Sequence, residues 1–205
     1  MQTPNLLGLV LAGGKSQRMG LDKSKMIYPN LSSLIQRDRT LKQMQDCGIQ
    51  SYISCRADQV SSEDEPKNFI VDHATLEGGP GVGILSAHLK SPTNAWLVIA
   101  CDFPWLDIKP IKELILSRKA NGTSTAARNK SGIVEPLFAI WEPNTLELFL
   151  KRFQQGYKSP QKFLQETPTQ FFDILDEKIL KNINSLEQIE AHDDLRSALK
   201  KNLIK

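Results

Sequence analysis

Two runs in the chain, Leu7-Gly-Leu-Val-Leu-Ala and Trp96-Leu-Val-Ile-Ala-Cys, are apolar throughout, with no polar residue alternating in. A strand with one solvated face alternates polar and apolar side chains. A run that does not alternate must be covered on both faces. Helices packed on either side of a sheet supply that cover, so these runs predict central parallel strands of an α/β fold.

The remaining sequence keeps the same rhythm. Strands are expected at Leu6–Ala12, Ser51–Cys55, Asn68–Asp72, Trp96–Cys101, Thr123–Arg128, Glu135–Trp141 and Phe171–Ile174. Helical spacing marks Ser32–Gln45, with Ser32 or Ser33 as N-cap, and then Gly81–Leu89, Ile111–Lys119, Asn144–Gln154, Pro160–Gln165 and Leu186–Leu199. Such alternation implies right-handed crossovers and a mainly parallel sheet. In those sheets ligands collect at the carboxyl ends of strands, near the point where strand order reverses. The loops after Ala12, Cys55, Asp72 and Cys101 are therefore the places to look for chemistry.

Composition narrows the class. At 205 residues, 40% hydrophobic and 24% charged, the chain is sized for one domain spanning residues 1–205, able to bury roughly 70% of its unfolded surface. A net charge of +3 is too mild to argue for a nucleic-acid partner. Cys47, Cys55 and Cys101 are too widely spaced for a CxxC pair and fit a reducing compartment. The apolar start at Leu6–Ala12 lacks a preceding positive charge and is short for a signal-peptide core. No run reaches the roughly 18 apolar residues of a membrane span. The expectation is a soluble, cytoplasmic, enzyme-sized domain.

The richest loop is Leu11-Ala-Gly-Gly-Lys-Ser-Gln-Arg-Met-Gly-Leu-Asp-Lys, residues 11–23. Gly13 and Gly14 permit a sharp turn whose bare N–H groups form an anion-binding concavity. Lys15, Arg18, Lys23 and Lys25 add four cations, a combination suited to a triphosphate. It is not a P-loop, because position 9 is Leu where that motif needs Gly. Gly79-Pro-Gly-Val-Gly also lacks the spacing of a GxGxxG fingerprint. Asp102, directly after the second apolar run, is placed to hold Mg²⁺ against phosphate oxygens. The glycines of residues 78–83 allow close approach by a base or ribose. His73, His88 and His192 have no metal-ligand spacing, and no nucleophile–histidine pair points to covalent catalysis.

Taken together, Leu11-Ala-Gly-Gly-x-Ser-x-Arg-Met-Gly-x-Asp-Lys, Gly79-Pro-x-x-Gly, Cys101-Asp102-x-Pro and Asn182-Ile-Asn184 resemble the molybdenum cofactor guanylyltransferase family of molybdopterin-type nucleotidyltransferases. Glu135-Pro-Leu-Phe-Ala-Ile and Tyr157-Lys-Ser-Pro with Lys162-Phe-Leu are similar to later family segments, so the resemblance covers nearly the whole chain. It implies a three-layer, Rossmann-like nucleotidyltransferase fold and transfer of GMP from GTP to molybdopterin with release of pyrophosphate. By position it implies nucleotide contacts at Leu11, Ala12, Gly13, Gly14, Lys23, Ser54, Asp72 and Asp102. Arg18, Lys23 and Asp102 would be catalytic, and Asp102 with Asn184 would form the Mg²⁺ site. Other cofactor-assembly proteins or molybdoenzymes are implied partners.

Two positions depart from the family pattern: Ser54 replaces Asn, and Tyr28-Pro-Asn-Leu-Ser-Ser replaces a Gly-Lys-Pro turn. A cytidylyl or sugar-phosphate nucleotidyltransferase, and a catalytically idle nucleotide-binding partner, remain alternative readings.

Overall fold

A computed structural model describes residues 3–14, 22–60, 68–119 and 122–203. Seven strands form a single sheet: β1 (Leu6–Leu11), β2 (Ser51–Cys55), β3 (Phe69–Val71), β4 (Ala95–Ala100), β5 (Ser124–Arg128), β6 (Val134–Trp141) and β7 (Thr169–Asp173). Their order is β3-β2-β1-β4-β6-β5-β7. All neighbours pair in parallel except β6, which runs antiparallel to both β4 and β5. The mainly parallel α/β sheet expected from the sequence is the fold observed.

The two non-alternating runs lie side by side at the centre, with Leu9 opposite Val98 and Leu11 opposite Ala100. Their side chains split between two cores. Val10, Leu97 and Ile99 face α1 (Gln36–Gln45) and α3 (Ile108–Ser117), while Leu7, Leu9, Trp96 and Val98 face α2 (Gly81–Lys90), α4 (Pro143–Gln154) and α5 (Pro160–Glu166). Covering both faces removes every one of these side chains from water, worth about 1.5–3 kcal/mol for each large one. In the second core Trp141 stacks on Phe163 at 6.2 Å and packs on Phe149 at 5.4 Å.

Helix starts follow local chemistry where a cap is available. Asp107 accepts the Lys109 N–H at the head of α3, and Ser159 accepts the Lys162 N–H at the head of α5, where Pro160 occupies the first turn. The expected start of α1 at Ser32 or Ser33 is corrected. The helix begins at Gln36, whose N–H donates to the Met26 carbonyl at 2.7 Å, and Ile35 forms a bridge with Ile27. A tertiary acceptor thus replaces the serine cap. The helix expected over Leu186–Leu199 is also corrected to α6 (Leu186–Glu190) and α7 (Ser197–Leu203). Between them Arg196 donates to the Glu190 carbonyl and pairs with Asp193, so the chain turns instead of continuing.

This C-terminal stretch folds back on the N-terminal half. Ile183, Ile189, Leu195 and Ala198 bury against Met26 and Tyr28 in a third cluster. None of the described helices is long and apolar enough to cross a membrane.

Candidate active site

Strand order reverses between β1 and β4: the chain winds outward through β2 and β3, then returns to the other side of β1. At the carboxyl ends of these strands lies a cavity of about 700 Å³. All four loops singled out from the sequence contribute to its wall. β1 supplies Leu11 and leads into Ala12, Gly13 and Gly14. β2 supplies Ser54 and the following Arg56. Asp72 and His73 follow β3, and Cys101 and Asp102 follow β4. Lys23, Gly78, Gly79, Val82 and Gly83 complete much of the remainder.

Asp102 is the focal charge. Its Oδ1 is sealed from solvent and has no hydrogen-bond partner, while its carbonyl accepts the Ile183 N–H at 3.1 Å. Burial raises its carboxyl above the ordinary aspartate range, and the Lys23 ammonium pulls it part of the way back. A buried carboxylate oxygen without a partner is costly and invites a cation. Oxygen donors of this kind suit Mg²⁺, which commonly takes one or two carboxylates and completes its shell with water and phosphate. Among the described residues no three His, Cys, Asp or Glu side chains gather into a metal-binding group.

Lys23 sits in a short 3₁₀ turn, Lys23–Lys25, whose N-terminus is capped by Asp22 through the Ser24 N–H at 3.0 Å. Its Nζ donates to Asn184 Oδ1 at 2.6 Å. Asn184 in turn is fixed by its own N–H, which donates to Gln188 Oε1. The sequence expectation that Asn184 serves the metal site thus meets a residue already bonded to the cavity's lysine.

At the opposite wall, Ser54 Oγ donates to Asp72 Oδ1 at 3.3 Å. Burial raises the Asp72 carboxyl, with the Ser54 hydrogen bond and the Arg56 charge opposing it. Gly83, in the first turn of α2, lets the helix close on this wall. A Cβ there would collide with Ser54 Oγ and come within 2.7 Å of Leu11 Cδ2. Gly78 and Gly79, with φ of 104° and 67°, make the turn leading into α2. Cys101 lines the cavity but burial pushes its thiol up, away from a thiolate nucleophile.

Arg18 and Lys15 lie outside the described residues. Ala12, Gly13, Gly14, Leu11, Lys23, Ser54, Asp72 and Asp102 meet at one cavity. Asn184 is not part of its wall but reaches it through Lys23.

Two residues bonded to the glycine loop went unnoticed in the sequence, and a third, Glu135, was read only as part of a strand and of a family-like segment. Arg56 and Gln59 have no recognisable spacing signal beyond following a strand that ends at the ligand edge. Glu135 sits where β6 bulges: Ala126 pairs with Ala139 but Ala127 pairs with Glu135, so Pro136, Leu137 and Phe138 are extra. Pro136 has no N–H to give the ladder, and the bulge brings Leu137 to the cavity.

Comparison with known proteins agrees with this geometry. Residues 8–170 match the family described as the MobA-like NTP transferase domain. The chain is 34% identical over 197 residues to a molybdenum cofactor biosynthesis bifunctional protein of Synechocystis sp., covering 91% of this chain and 53% of that protein. It therefore spans about half the length of that relative. A molybdenum cofactor guanylyltransferase of Pseudomonas putida is 28% identical, with 89% of this chain and 94% of the relative covered. Among solved structures, the molybdopterin-guanine dinucleotide biosynthesis protein A of Archaeoglobus fulgidus superposes with a TM-score of 0.70 at 22% identity, covering 95% of this chain and 97% of that one. The matched family, the shared fold and the cavity at the strand-order reversal lead to one conclusion: the chain belongs to the MobA-like NTP transferase family and is a nucleotidyltransferase.

Proposed function

We propose that the protein transfers GMP from GTP to the terminal phosphate of molybdopterin, with Mg²⁺ and with release of pyrophosphate. The observation that carries this reading is the sealed, unpartnered Asp102 Oδ1 in the same cavity as Gly13, Gly14 and Lys23. The relatives named as molybdenum cofactor guanylyltransferases support the choice of GTP and molybdopterin. The three free cysteines are compatible with a cytoplasmic setting, and cofactor-assembly proteins or molybdoenzymes are the partners inferred for the product. The burial of Ile183, Ile189, Leu195 and Ala198 against Met26 and Tyr28 supports reading the chain as a single functional unit.

In the reaction, an oxygen of the acceptor phosphate attacks the α-phosphorus of GTP and forms the new P–O bond. The bond between that phosphorus and the α–β bridging oxygen breaks, and pyrophosphate leaves with the electron pair. The nucleophile is already ionised, so no general base is needed. The protein's work is positioning and charge stabilisation. Gly13 and Gly14 offer backbone N–H groups to the triphosphate, and Lys23 meets the charge that builds on it. Asp102, with Asn184 nearby, would hold the divalent ion, which supplies Lewis-acid neutralisation of phosphate oxygens when bound. Arg18 is assigned to the triphosphate from its place in the loop. Ser54 and Asp72 line the wall assigned to the nucleoside.

The test is direct. Protein incubated with GTP, Mg²⁺ and molybdopterin should yield the dinucleotide and one pyrophosphate per transfer. Absence of product, with a different nucleotide or acceptor turned over instead, would replace the assignment.

A further inference from the structure

We propose that Arg56 and Gln59 are positioning residues that clamp the glycine loop and aim its backbone at the triphosphate. The proposal rests on the reading of the cavity as a nucleoside triphosphate site. It stands on five side-chain hydrogen bonds. Arg56 Nη1 donates to the Gly13 carbonyl at 2.5 Å, and Gln59 Nε2 donates to the Ala12 carbonyl at 3.1 Å. Arg56 is itself held by a fork on Asp58, with Nε to Oδ1 at 3.0 Å and Nη2 to Oδ2 at 3.2 Å.

Consecutive peptide carbonyls of the loop are thereby tied to the segment after β2. The N–H groups of Gly13 and Gly14 have no acceptor among the described residues. A peptide plane is rigid, so fixing a carbonyl fixes the N–H of the next residue on the opposite side. Holding the Ala12 carbonyl orients the Gly13 N–H, and holding the Gly13 carbonyl orients the Gly14 N–H. Glycine backbone without such restraint has many conformations, and ordering it would be charged to binding. Gln59 also reaches Asp22 Oδ2 at 3.4 Å, and Asp22 caps the turn that carries Lys23. The same short 3₁₀ segment, Ala57–Gln59, thus contacts the entry of the loop and the turn where it returns.

The experiment compares wild type with Arg56→Ala, Arg56→Lys and Gln59→Met. Gln59→Met keeps the length of the side chain and adds no charge, but removes the donor that the Ala12 carbonyl needs. GTP, CTP, ATP and UTP are titrated calorimetrically, and the triphosphate that wild type binds most tightly is then compared with its own nucleoside. Arg56→Ala and the uncharged Gln59→Met should both weaken the triphosphate about tenfold and leave the nucleoside within twofold. Arg56→Lys, which keeps a donor but not the fork, should fall between. Equal loss for nucleoside and triphosphate, or no loss in the variants that fold, would overturn the clamp. Preference of wild type for CTP would sink the guanine assignment while leaving this comparison intact, and wild type that binds no triphosphate overturns both.

Discussion

Lys23 Nζ and Asn184 Oδ1 meet at 2.6 Å, joining residues 161 positions apart. Asn184 lies four residues beyond the end of a 3₁₀ turn at Glu177–Leu180, in the stretch whose Ile183 N–H binds the Asp102 carbonyl. One short segment therefore touches both the lysine ammonium and the backbone of the residue that carries the buried carboxylate. Lysine carries much rotamer freedom, and an amide acceptor restrains it before substrate arrives.

Asn184→Ala should lower turnover about fivefold and Lys23→Ala more, because losing one hydrogen bond is worth about 1 kcal/mol and losing the charge is worth more. The double variant should be no worse than Lys23→Ala alone if Asn184 acts through the lysine. Steady-state kinetics of the three variants give the coupling. Fully additive losses would instead assign Asn184 to the metal independently.

Asp102→Asn separates activity from stability. Replacing a buried, unpartnered carboxylate with a neutral isostere should raise the melting temperature by a few degrees, at about 2–4 °C per kcal/mol for a chain of this size. Turnover should fall by several kcal/mol of transition-state stabilisation, and any Mg²⁺-induced rise in melting temperature should vanish. Melting curves with and without Mg²⁺, alongside pyrophosphate release, test both halves. An active, metal-responsive Asp102→Asn protein would remove Asp102 from the site.

Gly83→Ala should destabilise the fold by about 1–3 kcal/mol through overpacking. The added methyl would meet Ser54 Oγ and Leu11 Cδ2. Removing the hydroxyl in a Gly83→Ala/Ser54→Ala pair should recover part of the loss, which denaturant unfolding would measure. Gly13 differs: a Cβ there would lie 3.4 Å from Asp72 Oδ2, close to ordinary contact. Gly13→Ala should fold normally and change nucleotide choice. Competition between equimolar GTP and CTP should show GTP preferred by wild type and penalised most in the variant, within the about 1–3 kcal/mol that one methyl can enforce.

The parts of this protein legible in its sequence are those decided locally. Leu7–Ala12 and Trp96–Cys101 read as central strands because burial on both faces leaves no polar alternation, and the four ligand loops followed from where such strands end. The start of α1 was not legible, since the acceptor for Gln36 is Met26, outside the helix. The break between α6 and α7 depends on Arg196 reaching back to Glu190 and pairing with Asp193, in a pattern that periodicity alone continues as helix. Arg56 and Gln59 read as ordinary polar loop residues, because their targets are backbone carbonyls that carry no residue signature. Lys23 and Asn184 were each singled out in the sequence, but their pairing was not legible, because it exists only once the C-terminal segment has folded back.

Glu135 supplies the pH test. Burial, and the charge of Asp102, raise its carboxyl from 4.5 to about 7, against the opposing hydrogen bond from the Leu137 N–H at 3.0 Å. The folded state then holds this proton more tightly than the unfolded chain does. Between about pH 4.5 and pH 7 the native protein binds more protons, so the contribution of Glu135 to stability is full below the lower value and is lost as pH rises through the upper one. Glu135→Gln removes that loss. It should be more stable than wild type at pH 8 by about 1–3 kcal/mol, less than the full linkage value because the side chain keeps some contact with solvent. At pH 4.5 the two proteins should differ little. Denaturant unfolding of the Mg²⁺-free proteins at both pH values decides it, and a stability gap that does not change with pH would mean that Glu135 is not the group that titrates.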